Sequence, residues 1–272
     1  MKIKYLIIGS LSMAIVNGCG HGATSVAGTE PPSLVLLLCD LTTSIDSLQT
    51  MNKVINNADK VLVSLRPNTK YMVNPIGQTP DQAIYEGETE EHVSFDKVCE
   101  KNRDKYDACL QKIYNAYSRR KDSASCIIDA VQAAAGTIIA LQQSHIYNRI
   151  TLIILSDMLE ACIDNGVRLD LERKNFDSVS ANRVIKRWPV ERQFLAGLDS
   201  VNIYVVFNTS KRVSYSSLSS FWASVFKRAG YHRDVHFITD FRKEYLNQPK
   251  SIPIEQPQVA YFEMRYHQQR HE

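Results

Sequence analysis

A carboxylate and two hydroxyls follow one apolar run at alternating positions. Asp40, Thr42 and Ser44 come directly after residues 33–39, which read SLVLLLC and are preceded by Pro32. All three side chains offer oxygen, the ligand atom that a hard cation such as Mg²⁺ prefers. The apolar run predicts a strand buried on both faces, as in a parallel sheet flanked by helices. Ligands bind such sheets at the carboxyl ends of the strands, so we expect a cation site there.

A second apolar run also ends in a carboxylate. Residues 149–155 read RITLIIL, and Ser156 and Asp157 follow them. We predict a doubly wound α/β fold with a mostly parallel sheet in the order 3-2-1-4-5-6, in which the two runs are neighbours at the switch point. Asp40 and Asp157 are then expected to converge, and two carboxylates at one place require a cation.

The pattern Asp40-x-Thr42-x-Ser44 after a buried strand resembles the first motif of von Willebrand factor A (VWA) domains. In that family the motif forms a metal-ion-dependent adhesion site (MIDAS), and Ser156-Asp157 resembles its last motif. The segment that begins at Ser125 resembles the one that supplies a third hydroxyl, for which the family usually has Thr. Ser123 is the rival for this role, and either serine could instead cap the following helix.

The resemblance implies a Rossmann-like VWA fold over roughly residues 33–240, and binding rather than catalysis. It implies that Mg²⁺ or Mn²⁺ is held by a set of five residues: Asp40, Thr42, Ser44, Ser125 and Asp157. A protein partner then presents an Asp or Glu to the ion. Residues near the site would form a rim that selects the partner, and we expect these to be Glu160, Asn208 and Thr209.

An enzyme is the alternative. A strand followed by Asp-x-Thr-x-Ser is also similar to the nucleophile loop of haloacid-dehalogenase-type phosphatases, in which Asp40 would attack phosphorus. That family has a second aspartate, a general acid and base, where this chain has Thr42. A phosphatase assay with a generic phosphate ester separates the two functions.

Hydrophobic periodicity predicts the remaining elements. Leu48, Met51, Ile55, Ala58 and Leu62 indicate a helix after Ser44. Further helices are expected at 86–122, as a surface insertion, and at 125–141, 189–198 and 218–226, with Gly230 ending the last one. Strands are expected at 70–76, 82–86, 201–207 and 235–238. Pro75 makes a central position for the first of these less secure.

The amino terminus predicts export. Residues 1–18 combine Lys2 and Lys4 with a short apolar stretch, and Cys19 follows a small residue, as in a bacterial lipoprotein signal. Cleavage before Cys19 would place a lipid on it, and residues 19–32 would form a flexible tether. The alternative is an ordinary secretory signal with an incidental cysteine. We expect a lipid-anchored protein of the cell envelope, periplasmic or on the outer surface.

Length and charge limit the function. Removal of residues 1–18 would leave 254 residues with 30 basic and 29 acidic side chains. This balance gives no argument for nucleic acid as a partner. The length suits one substantial core, with residues 241–272 as a tail.

Five cysteines lie beyond Cys19, and export permits disulfides. Cys39 is expected to be free because it lies in a buried strand. Cys99 and Cys109 cannot pair within one continuous helix, because ten residues rise about 15 Å. Cys126 and Cys162 follow the two proposed metal loops, and we predict a disulfide between them.

Overall fold

The centre of the computed structural model is a six-stranded sheet in the order β3-β2-β1-β4-β7-β8. The strands, in chain order, are β1 (Ser33–Asp40), β2 (Thr69–Ile76), β3 (Tyr85–Glu88), β4 (Arg149–Ser156), β5 (Ile163–Asp164), β6 (Val167–Arg168), β7 (Val201–Phe207) and β8 (His236–Ile238). Within the sheet only β2 and β3 pair antiparallel, and β5 and β6 form a separate antiparallel ladder. The predicted α/β fold with sheet order 3-2-1-4-5-6 is confirmed.

The structure describes nine stretches of the chain: residues 31–42, 48–77, 82–119, 125–144, 147–159, 163–164, 167–168, 193–208 and 214–247. Several sequence-based predictions lie outside these residues. They are the signal and tether, the lipid site Cys19, the metal ligand Ser44, its rival Ser123, the rim residues Glu160 and Thr209, and the predicted disulfide partner Cys162. Among the described residues, no helix is long and apolar enough to span a bilayer.

Helices cover both faces of the sheet. They are α1 (Leu48–Leu62), α2 (Phe95–Lys101), α3 (Arg103–Ser118), α4 (Ile127–Ser144), α5 (Tyr215–Arg228) and α6 (Glu244–Asn247). Alternate residues of β1 point to opposite faces. Leu34, Leu36 and Leu38 join a core with α4 and α5, whereas Val35, Leu37 and Cys39 join a core with α1 and α3. This two-sided burial explains why β1 is apolar at almost every position.

The edges of several elements differ from their predicted positions. The insertion is two helices, because buried Asn102 interrupts it and its Nδ2 donates to the Val98 carbonyl at 2.9 Å. β3 lies at Tyr85–Glu88 and its ladder with β2 ends at Val73, so the missing N–H of Pro75 costs that ladder nothing. Residues 193–198, the described end of a predicted helix, form turns.

The carboxyl-terminal part of the fold extends past residue 240. Gly230 has φ +95° and follows the end of α5, as expected for a glycine C-cap. Phe241 and Leu246 are then buried in the core on the α1 and α3 side. The packed domain therefore includes α6, beyond the predicted boundary at 240, because these side chains cover apolar surface that would otherwise be exposed.

The cysteines agree in part with the predictions. Cys39 and Cys109 are buried free thiols, whereas Cys99 and Cys126 are disulfide-bonded. Two expectations are therefore confirmed, namely the free Cys39 and the absence of a bond between Cys99 and Cys109. The bond between Cys126 and Cys162 stays a prediction, because Cys162 lies outside the described residues.

Candidate metal centre

Asp40, the last residue of β1, is fully buried and receives hydrogen bonds on both carboxylate oxygens. The hydroxyl and the backbone N–H of Thr42 donate to Oδ1, at 2.7 and 3.2 Å. The hydroxyl of Ser156, at the end of β4, donates to Oδ2 at 2.7 Å. Ser125, just before α4, places its Oγ 3.4 Å from Oδ1. Three segments that are distant in sequence thus meet at one carboxylate.

The hydroxyl protons can be assigned because each hydroxyl has only one to donate. Thr42 donates to Asp40, so the 2.6 Å contact between Thr42 Oγ1 and Ser125 Oγ requires Ser125 as the donor. Ser156 donates to Asp40 and accepts the Met158 N–H at 2.9 Å. The result is a connected cluster of neutral oxygen donors around one acidic group.

The buried position of Asp40 disfavours the charged form of its carboxyl group. Burial raises the pKa of the Asp40 carboxyl, and the hydrogen bonds from Thr42, Ser156 and Ser125 only partly oppose this. Among the residues that the structure describes, neither Lys nor Arg forms a hydrogen bond or ion pair with it. A buried carboxylate without a positive partner is costly, so this arrangement favours a bound cation.

Asp157 lies beside this cluster, directly after Ser156, and is 5% exposed. Its Oδ1 accepts the Leu159 N–H at 3.0 Å. Between them, Met158 adopts φ +60°, a conformation that is uncommon for a residue with a side chain. The Met158 carbonyl accepts the Trp222 Nε1–H at 2.9 Å, which ties the loop to α5. The Asp157 loop is therefore fixed by one hydrogen bond within the loop and by one from α5.

Asn208 follows β7 at the same edge of the sheet. Its N–H donates to the Ser156 carbonyl at 3.0 Å, which continues the ladder between β4 and β7 by one residue. The residue is 1% exposed, and neither Nδ2 nor Oδ1 has a hydrogen-bond partner among the described residues. The continued ladder thus holds the residue below the surface, and its role in selecting a partner stays a prediction.

The structure brings together three of the five predicted metal ligands, Asp40, Thr42 and Ser125, and places Asp157 next to them. Sequence reasoning missed Ser156 as a direct partner of Asp40. The sequence does carry a signal, since Ser156 is a hydroxyl at the end of the neighbouring strand, but the VWA resemblance assigns only Asp157 of that segment to the metal.

The donor set fits Mg²⁺ or Mn²⁺. Carboxylate and hydroxyl oxygens, together with the unpartnered Asn208 amide, match the preference of a hard cation. No group of three or more His, Cys, Asp or Glu side chains forms within the described part of the chain. Zinc-type coordination by such a group is therefore not found there, whereas a site of one or two carboxylates with hydroxyls is chemically consistent.

No protein-family model and no curated protein matches the sequence. Solved structures with similar folds include the D319A mutant of the PilB minor pilin from Streptococcus sanguinis, at 9% identity and TM-score 0.47 over 82% of this chain. This chain covers 60% of that pilin.

Two further similar structures are named as VWA domains. The von Willebrand factor type A structure from Catenulispora acidiphila has 14% identity and TM-score 0.39, over 70% of this chain and 36% of that one. The SpRpn10 VWA domain has 11% identity and TM-score 0.37, over 81% and 96%. All three TM-scores are below 0.5, so these similarities carry no argument of their own. The support for the VWA-like fold is the order of the strands in the sheet.

Proposed function

We propose that this protein binds a divalent cation, Mg²⁺ or Mn²⁺, and through it a protein partner. The ligands would be Asp40, Thr42, Ser44, Ser125 and Asp157. The observation that carries the proposal is the fully buried Asp40. The hydroxyls of Thr42 and Ser156 donate to it, Ser125 Oγ lies 3.4 Å from it, and no Lys or Arg of the described residues pairs with it. Ser156 would act by orienting Asp40, to which it donates.

The residue types set the kind of binding. Hydroxyls are neutral ligands, so two carboxylates leave a divalent ion free to attract another oxygen donor. When bound, the ion would supply an acceptor position for an Asp or Glu of the partner. Thr42, Ser44 and Ser125 would contribute neutral hydroxyl oxygens to the ion, beside the carboxylates of Asp40 and Asp157. Glu160 and Thr209 stay proposed as residues that select among partners.

Mn²⁺ should raise the melting temperature of the full-length protein in detergent by mass action. Thr42→Val keeps the side-chain shape and removes the hydroxyl that contacts Asp40, so the response should fall by at least half at the same Mn²⁺ concentration. Thr151→Val is the matched control, because Thr151 is also buried and lies five residues before Ser156 on β4. Equal responses of all three proteins, measured by thermal denaturation, would place the ion elsewhere.

The Cys19 lipid is a second part of the proposal, supported by the sequence of the first nineteen residues. The lipid would display the domain on the bacterial cell envelope. The nearly equal numbers of basic and acidic side chains give no reason to expect a nucleic acid partner. Cys19→Ala should move the protein from the membrane pellet to the soluble or unprocessed fraction, as measured by fractionation and mass. Normally processed protein that stays in the membrane pellet would contradict lipidation.

The enzyme alternative is a phosphatase of haloacid-dehalogenase type, with Asp40 as the nucleophile. It is disfavoured because Thr42 stands where that family has its general acid and base. Hydrolysis of a generic phosphate ester that disappears in Asp40→Asn would support the enzyme.

A further inference from the structure

We infer that Asn208 is a positioning residue of the proposed cation site, and that its amide holds water of the ion's coordination shell. The inference rests on the proposed metal function and assigns a residue to it that the motif resemblance does not include. Its basis is a buried amide at the site's edge of the sheet with both polar atoms unpartnered.

The missing partners are the first argument. An Asn side chain offers two donors and an acceptor, and burying them without hydrogen bonds is unfavourable. Asn208 is 1% exposed, and within the part of the chain that the structure describes both Nδ2 and Oδ1 lack a partner. Unpartnered polar atoms in a buried position are typical of a site that is completed by a ligand or by water.

The sheet register is the second argument. Ser156 pairs with Phe207, and the Asn208 N–H bonds to the Ser156 carbonyl, so the next residues in register are Asp157 and Asn208. Neighbouring strands lie about 4.8 Å apart. The backbone of Asn208 is therefore adjacent to that of Asp157, a proposed ligand, at the end of the sheet where Asp40 also lies.

The chemistry of Asn208 decides which molecule it contacts. Its amide both donates and accepts hydrogen bonds, so its oxygen can accept from a water that the ion coordinates. Mg²⁺ characteristically keeps several of its waters when carboxylates bind it. Groups that hold the outer hydrogen bonds of a metal site typically change metal affinity by about 10- to 100-fold when mutated.

The test measures Mn²⁺ affinity of the full-length protein in detergent by calorimetry. Asn208→Leu has a similar volume and no polar atoms. It should melt at the wild-type temperature or higher without metal, yet bind Mn²⁺ about 10- to 100-fold more weakly. Tyr106→Phe is the matched control, since Tyr106 Oη is also buried and unpartnered, but on α3. It should bind Mn²⁺ as the wild type does.

A second variant reverses the expected sign. Asn208→Asp adds a negative charge beside the ion, so Mn²⁺ should raise its melting temperature more than that of the wild type, a result that a purely structural role would not produce. Wild-type Mn²⁺ affinity in Asn208→Leu, or a wild-type rise in Asn208→Asp, would overturn the inference while the metal function stands. Absence of Mn²⁺ binding by the wild type would instead overturn the proposed function, and the inference with it.

Discussion

Asp40→Asn should make the metal-free protein more stable at neutral pH and remove its stabilisation by Mg²⁺ or Mn²⁺. The wild-type carboxylate is fully buried without a cationic partner, and burial raises its pKa. The neutral amide keeps the shape and avoids burying a charge. Its oxygen can still accept from Thr42, and its NH₂, in the place of Oδ2, can donate to the Ser156 hydroxyl. In a domain of this size, each kcal/mol gained raises the melting temperature by about 2–4 °C.

The pH dependence follows from the direction of the Asp40 pKa shift. A pKa that is higher in the folded than in the unfolded protein contributes stability below the unfolded value, and this is lost as the pH rises through the folded value. Metal-free wild type should therefore lose stability from about pH 4 upward relative to Asp40→Asn. Added Mg²⁺ should close the difference, because it stabilises only the wild type.

Thermal denaturation in EDTA and in Mg²⁺, from pH 4 to 8, measures both effects. Asp104→Asn is the control, since Asp104 is exposed on α3 and the same chemical change there should be within about 0.5 kcal/mol of neutral. If Asp40→Asn melts below the wild type at pH 7 without metal, the charge of Asp40 is satisfied by the protein itself. The argument for a cation would then lose its basis.

Partner binding should depend on a divalent ion and on one acidic residue of the partner. A pull-down of the lipidated protein from its membranes in Mg²⁺, followed by elution with chelator, should release the partner. Replacing the partner's Asp or Glu should cost about 2–5 kcal/mol, as for a buried charge pair that loses one member. The ion would then lose the oxygen ligand that the partner's carboxylate supplies.

Affinity of the isolated partner, measured in Mg²⁺ and in EDTA, tests this expectation. Thr42→Val should lose affinity in Mg²⁺ and show little further change in EDTA, whereas Thr151→Val should behave like the wild type. Affinity that is unaffected by both the chelator and Thr42→Val would mean that the partner binds another surface of the domain.

The central strands could be predicted because a strand that is buried on both faces has an apolar local sequence. β1, β4 and β7 are apolar runs, and a parallel sheet covered on both faces requires such runs. The edge strand and the helix boundaries could not be predicted as accurately. β3 has only four residues with alternate exposure, and the break between α2 and α3 depends on the tertiary burial of Asn102.

The site was predictable to the extent that its residues follow strand ends. Asp40 and Thr42 come from one motif, and Ser125 requires only that α4 begin near the same edge. Ser156 and Asn208 were harder, because their roles depend on pairing between strands. The register of β4 with β7 determines that Asn208 is buried, and no local pattern in the sequence contains that register.

The disulfide at Cys126 makes the restraint on the candidate site depend on the redox conditions during expression. Cys126 directly follows Ser125, whose hydroxyl contacts Thr42 and Asp40. Disulfides form in exported proteins and are rare in the reducing cytosol. Protein produced in the cytoplasm of an expression host would carry Ser125 on a segment without this covalent restraint. The cation affinity measured on such a sample would then differ from that of the disulfide-bonded protein. Periplasmic expression, which allows the disulfide to form, is therefore the better choice.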